Sequence, residues 1–178
     1  MGIKDLISKV FPADLKVETT FEALRNKTMG VDASNYMFKL ITTRDNLARD
    51  FHSEPRGDVS GYIDRYWDSF KKICDSFGIK LILVLDGKRN FAKSDTNVLR
   101  ESIREEYITQ LKALLSDRDE DDSEKLLKLQ KSTVFISEDI LHAVKKWGRK
   151  NEVLCIQSLY EADAGLQHFE DVGLTDGT

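Results

Sequence analysis

Leu81-Ile82-Leu83-Val84-Leu85-Asp86-Gly87-Lys88-Arg89 is the most hydrophobic run in the chain, followed at once by an acid, a glycine and two bases. An apolar run this short, bounded by Lys80 and by Asp86-Gly87, reads as a central strand buried on both faces. In an open parallel sheet, ligands gather beyond the carboxyl ends of the strands, so Asp86 stands where chemistry usually happens. Lys88, Arg89, Lys93, Arg100 and Arg104 follow. At about 100° per residue, Lys93, Arg100 and Arg104 share one helical face, while Glu101, Glu105 and Glu106 lie mostly elsewhere. A carboxylate at a strand end backed by a stripe of cations suits a metal ion and a phosphate chain. The plainer account of the same residues is a strand, a turn and a solvated amphipathic helix.

The same arrangement recurs on either side. Upstream, Thr28-Met29-Gly30-Val31 enters Asp32-Ala33-Ser34, predicting a strand that ends at Asp32 and a helix capped near Ser34. That helix carries Tyr36, Phe38, Leu40 and Ile41 and weakens at Thr42-Thr43. From Asp58 to Phe77 apolar residues keep helical spacing, and Gly78 supplies the stop. His52 to Gly57 reads as a loop. Downstream, residues 88–131 hold equal numbers of acids and bases, but segregated: the basic stripe comes first, then an acidic knot from Asp117 to Glu124. Two helices joined at that knot and standing away from the sheet are expected. Thr133 to Ile136 reads as a short extended piece, and Ser137 caps a helix that Gly148 ends. Glu152 to Ile156 is a third strand, running into Glu161-Ala162-Asp163 at the start of another helix. Glu161 and Asp163, two apart, can share a site only at that helix's first turn.

The rest of the composition bounds the answer. A chain of 178 residues is one domain by default, with a formal charge of −4. Bulk electrostatics therefore do not advertise nucleic-acid binding, and any such contact must come from local clusters. Two isolated cysteines, Cys74 and Cys155, without C-x-x-C spacing, suggest a reducing compartment and neither zinc nor a disulfide framework. No apolar run approaches membrane-spanning length, and acids and lysines interrupt the first residues where a secretory signal would lie. If the three strands are neighbours, Asp32, Asp86, Glu161 and Asp163 converge at one edge of the sheet. Like charges so placed raise one another's pKa, and divalent cations relieve the repulsion. Oxygen-only donors favour Mg²⁺ or Mn²⁺ over Zn²⁺. Two such ions about 4 Å apart serve phosphodiester hydrolysis.

Taken together, Met1-Gly2-Ile3, Val31-Asp32-Ala33-Ser34, Val84-Leu85-Asp86-Gly87-Lys88 with Lys93-Ser94 and Arg100, and Tyr160-Glu161-Ala162-Asp163-Ala164 resemble the XPG/flap endonuclease family in order and rough spacing. The last motif is most similar to the exonuclease 1 branch. The resemblance implies an α/β, PIN-like 5′ nuclease fold over residues 1–178: a mostly parallel sheet flanked by helices, with residues 88–131 as a helical arch. It implies a structure-specific 5′ nuclease, with Asp32, Asp86, Glu161 and Asp163 as ligands of two Mg²⁺ ions and Mn²⁺ as a substitute. Lys93 and Arg100 would be the catalytic cations. Gly2, Phe38, Lys88, Arg89 and Arg104 would meet nucleic acid, Phe38 by stacking on a base. The partner implied is DNA with a 5′ flap or free 5′ end, bound by a monomer without membrane attachment, intracellular and nuclear if eukaryotic. Two departures stand out. The family has a further D-x-D pair some twenty residues after Glu161, and this chain stops first, so its C-terminal part and part of the metal cage are expected to be missing. The arch also carries the acidic knot. The competing expectations are a non-catalytic binding or regulatory module of the same fold and an RNA-cleaving relative; intact Asp32, Asp86, Glu161, Asp163, Lys93 and Arg100 argue against a retired site.

Overall fold

A computed structural model describes residues 19–45, 48, 51–52, 60–88, 94–116 and 122–178. Three strands, β1 (Thr28–Asp32), β2 (Lys80–Leu85) and β3 (Leu154–Gln157), form one parallel sheet in the order β1-β2-β3. Around it lie α1 (Ala33–Thr43), α2 (Ser60–Ser76), α3 (Ser94–Ser116), α4 (Ser123–Thr133), α5 (Glu138–Lys150) and α6 (Ala162–Asp171). The architecture is α/β with a central parallel strand, as the Leu81 run predicts. The alternation of β2 shows why that run is apolar throughout. Leu83 and Leu85 pack on one face with α1, α2 and α5, while Ile82 and Val84 pack on the other with Ala162 and Leu166 of α6.

On the first face, Trp67 of α2 and Trp147 of α5 meet with ring centroids 5.6 Å apart, flanked by Tyr36 at 5.0 Å from Trp67. Trp147 donates its indole N–H to Asp68 Oδ1 at 2.7 Å. This is the core of the amphipathic 58–77 pattern. α3 and α4 pack through Leu111, Leu114 and Leu129, a cluster separate from both faces of the sheet. The expected helical pair therefore has its own small core; the knot residues 117–121 lie outside the described residues, as do Gly2, Arg89 and Lys93.

Several local expectations change. The cap of α1 is Asp32, whose Oδ1 accepts the Asn35 N–H at 2.8 Å; Ser34 lies inside the helix and buried. Gly148 does not end α5, which runs on to Lys150. A Cβ there would stand 2.2 Å from Cys155 Sγ, so the glycine lets α5 close onto β3. Residues 134–137 are an irregular link, and β3 begins only at Leu154 because Glu152 turns the chain with φ 56°. His52 is helical rather than in a loop and half-buried, its Nε2 2.9 Å from the Gln130 carbonyl. Gly78, with φ 69°, stops α2 as predicted. Among the described residues no helix is long and apolar enough to cross a membrane.

Candidate metal and nucleic-acid site

The parallel register aligns the carboxyl ends of the strands. Asp32 pairs with Val84 across β1 and β2, and Leu85 with Gln157 across β2 and β3, so Asp86 emerges one residue beyond the row. Asp86 is then tied down from three directions. Its N–H donates to Ser34 Oγ at 3.4 Å, its carbonyl accepts Gln157 Nε2 at 3.1 Å, and its Oδ1 accepts the Ala162 N–H at 2.9 Å. The last bond sets a carboxylate at the N-terminus of α6, where free N–H groups and the helix dipole favour negative charge.

A residue the sequence reading passed over makes this possible. Gly87 donates its N–H to the Tyr160 carbonyl at 2.5 Å, Lys88 its N–H to the Leu159 carbonyl at 3.0 Å, and Ser158 its N–H to the Leu85 carbonyl at 2.9 Å. A Cβ on Gly87 would fall 1.9 Å from the Ser158 carbonyl oxygen. The turn after β2 is thus stitched to the loop between β3 and α6, which brings Glu161 and Asp163 toward Asp86. The signal was present in Asp86-Gly87-Lys88, an acid followed by the one residue without a Cβ. Its meaning depended on a loop more than seventy residues away.

Asp32 is half-buried, and that burial pushes its carboxyl above the ordinary range; the Asn35 N–H works against this, while the charges of Asp86 and Asp163 add to it. Asp86 and Asp163 therefore each sit within electrostatic reach of Asp32. Glu161 is the N-cap residue of α6 without a side-chain capping bond, and Asp163 is exposed in that helix's first turn. Oxygen donors of this kind suit a hard divalent cation. Among the described residues, however, no three acidic, histidine or cysteine side chains stand close enough to hold a metal ion.

Two of the predicted nucleic-acid residues, Phe38 and Arg104, share a second place with Arg100, one of the two predicted catalytic cations. Phe38 of α1, Arg100 and Arg104 of α3, and Phe135 of the 134–137 link line one cavity of about 370 Å³, with Asn97 and Ser132. Phe38 is 43% exposed and Phe135 41%. The Arg104 guanidinium lies over the Phe135 ring, 4.5 Å from its centroid, and Nη2 pairs with Glu101 Oε1 at 3.2 Å. Glu101 also lines this cavity, against the expectation that it would lie elsewhere. One step around the helix is only about 100°, and a glutamate is long enough to reach back. Lys88 is exposed at the turn after β2. Phe135 escaped notice because it sits in an irregular segment with no period to read.

The model of the XPG N-terminal domain matches residues 1–107, more than half of the chain. The chain belongs to the XPG N-terminal domain family. Among its XPG relatives it is 31% identical over 168 residues to flap endonuclease 1 of Theileria parva, covering 92% of this chain and 33% of that protein. It is 27% identical over 177 residues to flap endonuclease 1 of Ostreococcus lucimarinus, covering 98% of this chain and 44% of that protein. It is also 27% identical over 167 residues to exonuclease 1 of Danio rerio, covering 93% of this chain and 19% of that protein. The chain thus spans less than half the length of these XPG relatives. The catalytic core of Rad2, solved in complex with DNA substrate, superposes with a TM-score of 0.54 over 99% of this chain and 44% of that one, at 18% identity. That likeness is one of fold.

Proposed function

We propose that this chain is the N-terminal nuclease portion of a metal-dependent, structure-specific 5′ nuclease acting on DNA with a 5′ flap or free 5′ end. The observation that carries the reading is the bond from the Ala162 N–H to Asp86 Oδ1 at 2.9 Å, which ties the acid beyond β2 to the helix start that carries Glu161 and Asp163. Family membership and similarity to flap endonuclease 1 and exonuclease 1 support it.

In this reading Asp32, Asp86, Glu161 and Asp163 hold Mg²⁺, with Mn²⁺ as a substitute, and carboxylates from beyond this stretch complete the cage. A pair of such ions would supply activation of a water and charge stabilisation for the leaving oxygen of a phosphodiester. Asp86 is held for this task by the bond from the Ala162 N–H, which fixes its Oδ1. Arg100, together with Lys93, draws the scissile phosphate toward the acids from the arch formed by residues 88–131. Phe38, Lys88, Arg89, Arg104 and Gly2 position the strand. The protein works as a monomer, nuclear in a eukaryote.

The test is cleavage of a 5′-flap DNA by the full-length protein with Mg²⁺. Asp86→Ala is expected to lower the rate by a factor on the order of 10² or more, the scale of losing a preorganised electrostatic group. Full activity in that variant would remove the assigned site. The purified 178-residue chain alone is expected to show little or no turnover, and robust cleavage by it would refute the incomplete cage. A non-catalytic binding module is the second reading, favoured by the open arrangement of the described acids. It predicts flap binding without cleavage by the full-length protein at any Mg²⁺ concentration.

A further inference from the structure

We infer that His52 is a positioning residue: it fixes where the α3–α4 pair stands against the sheet, and so how Arg100 meets the strand-end acids. This rests on the nuclease reading for the role of Arg100; the joint itself does not.

The helical pair and the sheet have separate cores. Leu129 is buried in the small cluster that joins α3 to α4, and Val134 is buried in the large cluster on the first face of the sheet. Only Gln130, Lys131, Ser132 and Thr133 lie between them. That short stretch is held by polar contacts from the segment that follows α1. His52 Nε2 stands 2.9 Å from the Gln130 carbonyl oxygen and 3.1 Å from Thr133 Oγ1. Lys131 Nζ meets Asp45 Oδ1 at 2.6 Å. Phe51, next to His52, packs against the large core. The segment is thus anchored on the sheet side while its histidine reaches the helical pair.

The chemistry of the contact decides the proton. A carbonyl oxygen only accepts, so His52 Nε2 carries the hydrogen and donates it. Gln130 lies in the last turn of α4, where a helix leaves carbonyls short of partners. Thr133 is buried, and its hydroxyl donates back into α4, toward the Gln130 carbonyl at 3.0 Å and the Leu129 carbonyl at 3.1 Å, so its oxygen can still accept from the histidine. The Lys131–Asp45 pair is exposed on the aspartate side and contributes little by itself. Apolar burial is non-directional and would let the helical pair pivot about Val134. A hydrogen bond weakens steeply as its angle closes, so the His52 contact specifies one orientation. Arg100 follows that orientation because it lies on α3, which packs on Leu129 of α4 through Leu111 and Leu114.

Two measurements on the full-length protein test this. In chelator, amide hydrogen exchange read by mass spectrometry reports the joint without any cleavage. His52→Phe keeps a ring beside Phe51 and removes the donor. Residues 130–137 are then expected to exchange about ten-fold faster, with β2 and α2 as in the parent. His52→Gln restores an N–H donor and is expected to exchange as the parent does. Single-turnover cleavage of a 5′-flap DNA with Mg²⁺ at saturating protein reads the consequence. His52→Phe is expected to lower the rate about ten-fold, on the scale of a misplaced group, and His52→Gln to recover it. In an Arg100→Ala background His52→Phe is expected to add no further loss, because both changes remove the same interaction. A full additional loss in that background overturns the inference. So does parental exchange or parental cleavage in His52→Phe, or a His52→Gln variant that rescues neither. If Asp86→Ala cleaves like the parent, the nuclease reading falls, and the exchange result alone then decides the joint.

Discussion

Replacing Gly87 by alanine tests the stitch that holds Asp86 in place. The added Cβ would sit 1.9 Å from the Ser158 carbonyl oxygen and 2.6 Å from that of Leu159. Both are backbone atoms, so no side chain can swing aside, and the loop between β3 and α6 must move. Forcing a methyl into a packed site costs about 1–3 kcal/mol. Moving the loop also strains the bonds from Gly87 N–H to Tyr160 and from Lys88 N–H to Leu159, each worth about 0.5–1.5 kcal/mol. A loss of about 4 kcal/mol is expected, large against the total of about 5–15 kcal/mol for a domain. At about 2–4 °C per kcal/mol for a chain of this size, the Tm should fall by about 10 °C. Thermal unfolding followed by circular dichroism reads this directly. Gly61→Ala in α2, where a Cβ meets nothing within 4 Å, is the control and is expected to be neutral or to stabilise by up to about 1 kcal/mol. Flap cleavage by Gly87→Ala should fall further than its stability explains, because Asp86 moves with the turn. A Tm within 1–2 °C of the parent would refute the geometry on which the site depends.

Asp32 makes a pH prediction. Its folded pKa is raised, first by burial, so stability is full below the unfolded value of about 3.9 and falls as pH rises through the folded one. Asp32→Asn keeps a capping side chain and removes the charge. In chelator it should melt higher than the parent at pH 7 and no higher at pH 3.5; a gain of the same size at both values would show that charge is not the cause. Trp147→Phe removes a hydrogen bond to a carboxylate, whereas the Trp67 Nε1 is buried without a partner among the described residues. Urea unfolding should therefore show Trp147→Phe costing about 1.5–3 kcal/mol more than Trp67→Phe, and equal costs would deny the Asp68 bond its role. Gly148→Ala drives a Cβ against Cys155 Sγ and should cost about 1–3 kcal/mol. Adding Cys155→Ala should restore most of that loss, and a cycle without coupling would contradict the contact.

Much of this was legible along the chain. The unbroken apolar run of β2, the helical spacing of α2 and the Ser137 cap of α5 are local patterns, and local patterns survive folding because packing reinforces them. The acids that end β1 and follow β2 could be seen in the same way, since a strand end is a feature of one segment, whereas Glu161 and Asp163 open α6 after β3 has already ended at Gln157. The identity of the α1 cap could not: Asp32 and Ser34 are both good cap types, and the choice fell to Asp32 because Ser34 is buried against Asp86. Nor could the purposes of Gly87 and Gly148 be read, because each answers to atoms far away in sequence.

What the amino-acid order by itself determined is the set of parts: three strands, the acids that follow them in the chain, and a two-helix excursion rich in charge. What only the tertiary structure decided is which parts touch. It joined Asp86 to the start of α6, and it set Phe135 beside Phe38 and beneath Arg104. The physical reason is range. Periodicity and capping act over a few residues, while burial, backbone clearance and ring stacking depend on whatever the folded chain happens to bring near.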